Sequence, residues 1–202
     1  MIALRTEREM ELIRASCRVV GLAHRALREW VRVGATTERL DQVAEEAVRD
    51  CGAEPAFKGY HGFPATACIS INEQVIHGIP GPRELAEGDV VSIDLGAKLK
   101  GYYGDQAITL PVGEITPEAQ RLLEATRQSL FEGIEAAGVG GRLADISGTV
   151  HKCVEGAGFS VVRQFVGHGI GRMLHEEPPV PNYVPLERNP RLRRGRGCPG
   201  PG

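Results

Sequence analysis

The sequence lacks any long apolar run and any closely spaced pair of cysteines. No segment approaches the roughly 18 consecutive apolar residues of a membrane span, and the first residues, MIALRTEREMELIRAS, contain no apolar core of a signal peptide. The five cysteines are scattered and form no CxxC motif, so a zinc site built on thiolates is not expected. We therefore expect a cytoplasmic protein with reduced thiols.

A strong charge of one sign is also absent. The 202 residues carry a formal net charge of -2, which gives no reason to expect nucleic acid or an acidic membrane surface as the main partner. The hydrophobic fraction of 42% is ordinary for a globular protein. The length predicts one sizeable domain, or two small halves that share a core.

Four helices are predicted from apolar spacing and from residues that favour helix ends. Proline at the first helical position marks the start of the third helix, and glycines end the first three. The predicted helices cover about 6–32, from Thr36 or Thr37 to Gly52, from Pro117 to Gly138, and 143–155.

Short segments rich in β-branched residues separate the helix pairs. ACISI, QVIHGI, DVVSIDLG and YYGDQAITL follow the second helix, and FSVVRQFV follows the fourth. Their composition predicts strands and hairpins. The order is helix pair, strands, helix pair, strands, which predicts an α+β protein with two similar halves.

Two aspartates lie in adjacent predicted strands. If a hairpin turns at Leu99-Lys100, Asp94 faces Asp105 with Cβ atoms about 5 Å apart. Like charges in that position destabilise a half-buried sheet unless something neutralises them. The residues alone leave three alternatives: one carboxylate is protonated, as in an acid dyad, a divalent metal lies between the two, or both side chains point to water.

Histidines occur beside glycines in two further segments. GHGIGRMLHEEP contains His168 and His175, and His77 lies in QVIHGIPG. Each histidine alone is compatible with an ordinary hydrogen-bonded loop residue. An imidazole together with carboxylate oxygens suits Mn, Fe, Co or Zn. Glu176 and Glu177 are adjacent, so at most one of them can face a shared site.

Three long motifs carry a family resemblance. YHGFPATACISINEQVIHGIPG, GDVVSIDLGAKLKGYYGDQAIT and FVGHGIGRMLHEEPPVPNY resemble type I methionine aminopeptidase, a two-metal hydrolase with the pita-bread fold. Prolidases and creatinases share the fold and the shorter metal-ligand pattern, but the segment 60–80 favours the methionine enzyme. The resemblance implies one domain over 1–194, with halves at about 1–112 and 113–194, followed by an atypical tail at 195–202.

The resemblance implies a role for each motif residue. Asp94 matches a bidentate metal ligand, Asp105 the carboxylate that bridges two metals, and His168 the histidine ligand. His77 and His175 match catalytic histidines that contact the substrate and stabilise the tetrahedral intermediate. The positions that match the pocket for the methionine side chain are Tyr60, Phe63 and Leu174. Phe57 stands where bacterial members often carry cysteine.

The resemblance also implies cofactors and partners. The family uses two divalent ions (Co, Mn, Fe or Zn) and acts on the N-terminal methionine of nascent polypeptides, with transient contact to the ribosome. We expect a bacterial-type monomer that needs no membrane and no specific nucleic acid.

The end of the sequence departs from the family pattern. Two glutamate ligands are implied in later strands, whereas this chain reads NPRLRRGRGCPGPG and has no carboxylate there. We therefore expect a truncated or frameshifted C-terminus with an incomplete second half, at most one weakly held metal, and less than full activity. Two alternatives follow: a catalytically inactive pita-bread protein that acts as a binding module, or a prolidase-type peptidase.

Overall fold

The computed structural model describes residues 2–184 and 189–193, and the chain folds as two compact units. The first unit contains Arg8–Thr116 and Gly171–Leu174. The second contains Pro117–Ile170, the described residues from His175 onward, and the residues before Arg8. The predicted tail at 195–202 lies outside the described residues, and the halves at 1–112 and 113–194 stay a prediction.

Two helices form one layer of the first unit. They are α1 (Glu7–Arg28) and α2 (Thr37–Asp50), so both predicted helices are confirmed, although α1 ends before the predicted residue 32. Thr36 is the N-cap of α2, and its hydroxyl accepts a hydrogen bond from the backbone N–H of Arg39 at 3.1 Å. Such a cap satisfies a helix N–H that has no partner inside the helix.

An antiparallel sheet forms the other layer of the first unit. Its strands are β1 (Glu54–Pro55), β2 (Ala67–Ile71), β3 (Val90–Leu99) and β4 (Tyr102–Pro111), and β3 pairs with each of the other three. Alternate residues of β3 join the buried core with α1 and α2, namely Val91, Ile93, Leu95 and Ala97. Because side chains alternate along a strand, Ser92, Asp94 and Gly96 lie on the face opposite this core.

The predicted strand QVIHGI is wrong. Residues 74–79 form no strand; the backbone of His77 has a φ of 60°, which a regular strand does not allow. The loop still attaches to the sheet, because the N–H of Ile69 donates to the carbonyl of Gly78 at 2.8 Å. Short apolar runs with a glycine inside are therefore ambiguous between strand and loop.

The second unit holds two helices and a small hairpin. The helices are α3 (Pro117–Glu135) and α4 (Leu143–Gly156), as predicted, and the antiparallel strands are β5 (Gly167–Gly169) and β6 (Glu176–Val180). The predicted strand FSVVRQFV is wrong, because residues 159–166 pair with no strand in the described part of the chain. None of the described helices combines the length and apolar character that crossing a bilayer requires.

Candidate functional site

Asp94 and Asp105 share one face of the β3–β4 hairpin, but they are not directly opposite. The ladder pairs Asp94 with Ala107 and Gly96 with Asp105, so the predicted direct pairing and the turn at Leu99-Lys100 are wrong. The loop is Lys100-Gly101, with φ values of 51° and 81°. Two-residue hairpin loops favour positive φ at both central residues, and glycine adopts it without strain, which moves the turn by one residue. The aspartates are diagonal neighbours, for which Cα separations of about 7–8 Å are usual.

Cys68 lies on the same face of the sheet as Asp94. It pairs with Asp94 across the β2–β3 ladder and is buried. Burial raises the pKa of the Cys68 thiol to about 12, and the charges of Asp94 and Asp105 contribute to the rise. The same two charges would attract a cation to this side of the sheet.

An aromatic ring lies beside the two carboxylate positions. Gly96, the partner of Asp105, leaves room for it: a Cβ atom on Gly96 would lie 2.5 Å from Cε1 of Phe57. Phe57 is 8% exposed. The Phe57 ring therefore forms an apolar wall on the face that carries Asp94 and Asp105.

The segment after Phe57 holds the two predicted pocket aromatics. Tyr60 opens a 3-10 turn that follows Gly59, whose φ is 85°, and the N–H of Phe63 donates to the carbonyl of Tyr60 at 3.0 Å. The rings of Tyr60 and His61 meet edge to face with centroids 4.3 Å apart. Tyr60 and Phe63 are half-buried, so both keep surface available for contact.

His77 lies on a loop that is fixed to the same face of the sheet. The N–H of Gly78 donates to the hydroxyl of Ser70 at 3.1 Å, and Ser70 pairs with Ser92, which lies on the Asp94 face. A Cβ atom on Gly78 would lie 2.1 Å from the Ile69 carbonyl oxygen, so only glycine allows this approach. His77 itself is exposed.

The predicted pocket residue Leu174 belongs to a short segment of the first unit. The carbonyl of Gly171 accepts a hydrogen bond from the N–H of Tyr103 at 2.9 Å, and Leu174 is 2% exposed. Tyr103 and Asp105 lie on the same side of β4, because they are two residues apart. The segment 171–174 is thus attached to the strand that carries Asp105.

His168 and His175 come together in the second unit. Their ring centroids are 4.0 Å apart, and Nδ1 of His168 lies 3.0 Å from the carbonyl oxygen of Gly169. A carbonyl only accepts, so Nδ1 of His168 donates and, in the neutral ring, Nε2 carries the lone pair. Metal-binding histidines commonly have this arrangement, in which a backbone carbonyl fixes the tautomer.

The acidic residues after His175 differ in their surroundings. The carboxylate of Glu176 forms an ion pair and hydrogen bond with the guanidinium of Arg5, whereas Glu177 is exposed. Arg5 is not predicted from the sequence, and no local pattern would reveal it, because the two partners lie 171 residues apart.

The donor set suits a divalent cation, although the residues that the structure describes assemble no complete cluster. Among the described residues, no group of three or more His, Cys, Asp or Glu side chains is arranged to hold a metal. The structure brings Asp94 onto the face of Asp105, and His168 next to His175. Carboxylate oxygens and an imidazole nitrogen are ligands that Mn, Fe, Co and Zn accept.

Comparisons with known proteins identify the family of this chain. The sequence matches the model of metallopeptidase family M24 over residues 11–196. It is 48% identical over 195 residues to methionine aminopeptidase 1 of Bacillus subtilis (strain 168), covering 96% of this chain and 79% of that protein.

Solved structures show the same fold. The structure of methionine aminopeptidase from Thermotoga maritima matches with a TM-score of 0.94 at 39% identity, covering 96% of this chain and 79% of that one. Prolidase from Pyrococcus furiosus matches with a TM-score of 0.81 at 24% identity, covering 93% of this chain and 54% of that one, which supports the fold alone. The predicted α+β pita-bread fold is thereby confirmed.

Proposed function

The chain belongs to metallopeptidase family M24, and from that membership we propose that it is an aminopeptidase that removes methionine from the N-terminus of polypeptides. One structural observation carries the proposal: Asp94 and Asp105 lie on one face of the β3–β4 hairpin, with the apolar ring of Phe57 beside them. The 48% identity to a methionine aminopeptidase supports the same reaction.

We assign the metal-binding role to Asp94, Asp105 and His168. Their carboxylates and the Nε2 lone pair of His168 suit cobalt, manganese, iron or zinc. When bound, a divalent ion supplies Lewis-acid chemistry: it polarises the scissile carbonyl and lowers the pKa of a water molecule. The expectation of a single weakly held ion stays a prediction.

The methionine side chain is assigned to the residues around Tyr60, Phe63 and Leu174. The half-buried aromatic rings and the buried leucine support this, as does the ring of Phe57 beside the carboxylates. The thioether of methionine is flexible and apolar, and sulfur–aromatic contacts are favourable. These residues would contact the apolar side chain, and the scissile peptide bond would lie toward Asp94 and Asp105.

His77 and His175 are assigned to the peptide bond itself. Both are exposed histidines on segments that are anchored, His77 by Gly78 against β2 and His175 by its contact with the His168 ring. An N–H donor held in place stabilises the negative charge that develops on the carbonyl oxygen. A fixed position matters because the donor does not have to reorient during the reaction, which would cost free energy.

The substrate class implies a place of action. A chain that removes the first methionine meets new polypeptides where they emerge, so we propose a cytoplasmic location with transient contact to the ribosome. The described cysteines Cys17, Cys51, Cys68 and Cys153 are free thiols, which supports a reducing compartment.

A peptide panel tests the assignment against its rivals. The full 202-residue chain would be incubated with Mn²⁺ and the peptides Met-Ala-Ser, Leu-Ala-Ser and Ala-Pro, and released amino acids would be quantified by chromatography. The proposal expects methionine from Met-Ala-Ser and little release from the other two. Preferential cleavage of Ala-Pro would favour a prolidase-type peptidase. Binding of Met-Ala-Ser by folded protein without cleavage would favour a binding module.

A further inference from the structure

An ion pair that is shielded from solvent joins Arg5, near the N-terminus, to the β5–β6 hairpin of the second unit. Nη2 of Arg5 donates to Oε2 of Glu176, the first residue of β6. The side chains are only 8% and 14% exposed. The mechanism assigned above uses neither residue.

Shielding makes this pair different from the ion pairs on the helix surfaces. Removing charges from water is costly unless each finds an oppositely charged partner in good geometry. The planar guanidinium of Arg5 also restricts the direction of the carboxylate more than a lysine would. Arg5 therefore fixes where the side chain of Glu176 lies.

The backbone of the β5–β6 hairpin connects Glu176 to both histidines. Glu176 directly follows His175 and pairs with Gly169, next to a register shift between His168 and Gly169. A Cβ atom on Gly169 would lie 2.8 Å from the carbonyl oxygen of Glu176, so the backbones of the two strands are closely packed at this point. A displacement of the Glu176 backbone would therefore move its neighbour His175 or its partner Gly169.

We propose that Arg5 is a positioning residue, which holds Glu176 and thereby sets the backbone that presents His175 against the ring of His168. Successive side chains of an extended segment point to opposite sides, so Arg5 acts on one side and His175 on the other. The inference deepens the proposed aminopeptidase function and, for its catalytic consequence, rests on it.

The first readout does not depend on activity. Ring protons of His168 and His175, whose ring centroids are 4.0 Å apart, should give a nuclear Overhauser effect in the full chain with labelled histidine. We expect this signal to weaken in Arg5→Gln and in Glu176→Gln. It should return in the charge-swapped double variant Arg5→Glu/Glu176→Arg, because the pair is restored with reversed polarity.

The second readout is turnover of Met-Ala-Ser. The single variants should lose roughly 10- to 100-fold in kcat, as small displacements of catalytic groups do, with little change in KM. Arg49→Gln is the matched control: Arg49 pairs with Glu45 on the exposed surface of α2, and its loss should change neither readout.

The outcomes separate the two proposals. An unchanged Overhauser signal and unchanged kcat in folded Arg5→Gln would overturn the positioning role. If the single variants fail to fold by circular dichroism, the charge-swapped variant decides: a recovered signal supports the role, and a folded swap without it overturns the role. A wild-type chain that shows the expected signals but cleaves no peptide would refute the proposed function and leave the positioning role in place.

Discussion

Asp94 and Asp105 lie one diagonal step apart on the same face of the β3–β4 hairpin, with Ala107 and Gly96 as their direct partners. This offset keeps both carboxylates on one side of the sheet without placing like charges directly opposite each other, which destabilises a ladder. Glycine opposite Asp105 also leaves room for the ring of Phe57. The β3–β4 register therefore determines both the placement of the two aspartates and the space for the Phe57 ring.

Gly96→Ala should destabilise the first unit through overpacking. The new Cβ would lie 2.5 Å from Cε1 of Phe57 and 2.9 Å from Cβ of Ala56, and such crowding costs about 1–3 kcal/mol. Adding Phe57→Leu should recover part of the loss in the free energy of unfolding, measured in urea. Gly21→Ala, in a helix with open space around it, is the control and should not destabilise. Strict additivity of Gly96→Ala and Phe57→Leu would contradict the contact.

Asp41 should stabilise the fold mainly as a hydrogen-bond acceptor, and its negative charge should contribute less. Its Oδ1 accepts the N–H groups of Thr66 at 2.9 Å and Ala67 at 2.7 Å, where β2 begins. Burial raises the pKa of the Asp41 carboxyl above its ordinary value, so a neutral oxygen of the same shape suits the position. Asp41→Ala should lower the free energy of unfolding by about 1–3 kcal/mol for each N–H that loses its acceptor. Asp41→Asn should lower it clearly less. Equal losses in urea unfolding would argue against this role.

His24 should make the folded state sensitive to acid. It is buried, its Nε2 hydrogen-bonds the carbonyl of Gln106 at 2.8 Å, and burial lowers its pKa below the ordinary 6.5. As the pH falls through 6.5 toward the folded pKa, the unfolded chain binds a proton that the folded chain does not, so the free energy of unfolding decreases. His24→Gln should flatten this decrease between pH 7 and pH 5.5, whereas the control His151→Gln should keep it. An identical pH slope in His24→Gln and wild type would show that His24 is not the source.

Gly78→Ala should disturb the loop of His77. A Cβ atom would lie 2.1 Å from the Ile69 carbonyl oxygen and 2.7 Å from its carbon, and these backbone atoms belong to β2, which is held by its ladder with β3 and cannot move aside cheaply. We expect a large loss of methionine release, roughly 100-fold, because a displacement near 1 Å already has such effects. Gly81→Ala is the matched control, since no atom of the described residues lies within 4 Å of its Cβ position. A folded Gly78→Ala variant with normal kcat would remove His77 from the proposed mechanism.

The sequence predicts the helices well because their ends carry local chemistry. The N-cap at Thr36 and the proline at position 117 mark starts that the structure confirms. Strands depend on partners elsewhere in the chain. FSVVRQFV has the composition of a strand but no partner among the described residues, and the loop of His77 takes a positive φ that composition does not reveal.

The candidate site shows the same division. The shared face of Asp94 and Asp105 follows from alternation along two strands, so it is predictable, whereas their offset depends on which two residues form the turn. The pairing of Arg5 with Glu176 joins positions 171 residues apart, and no local pattern encodes it. Local rules thus predict which side chains share a face, and tertiary packing decides their offset and their partners.

Methionine release from Met-Ala-Ser by the full chain, measured while Mn²⁺ or Co²⁺ is titrated, is the decisive test of a metal-dependent aminopeptidase. Wild type and Asp105→Asn would be compared at matched folded concentrations. If Asp105 is a metal ligand, release requires added metal, saturates with it, and is lost in Asp105→Asn. Release that is independent of metal, or equal in the two proteins, would contradict the assignment of Asp105 as a metal ligand and with it the proposed function.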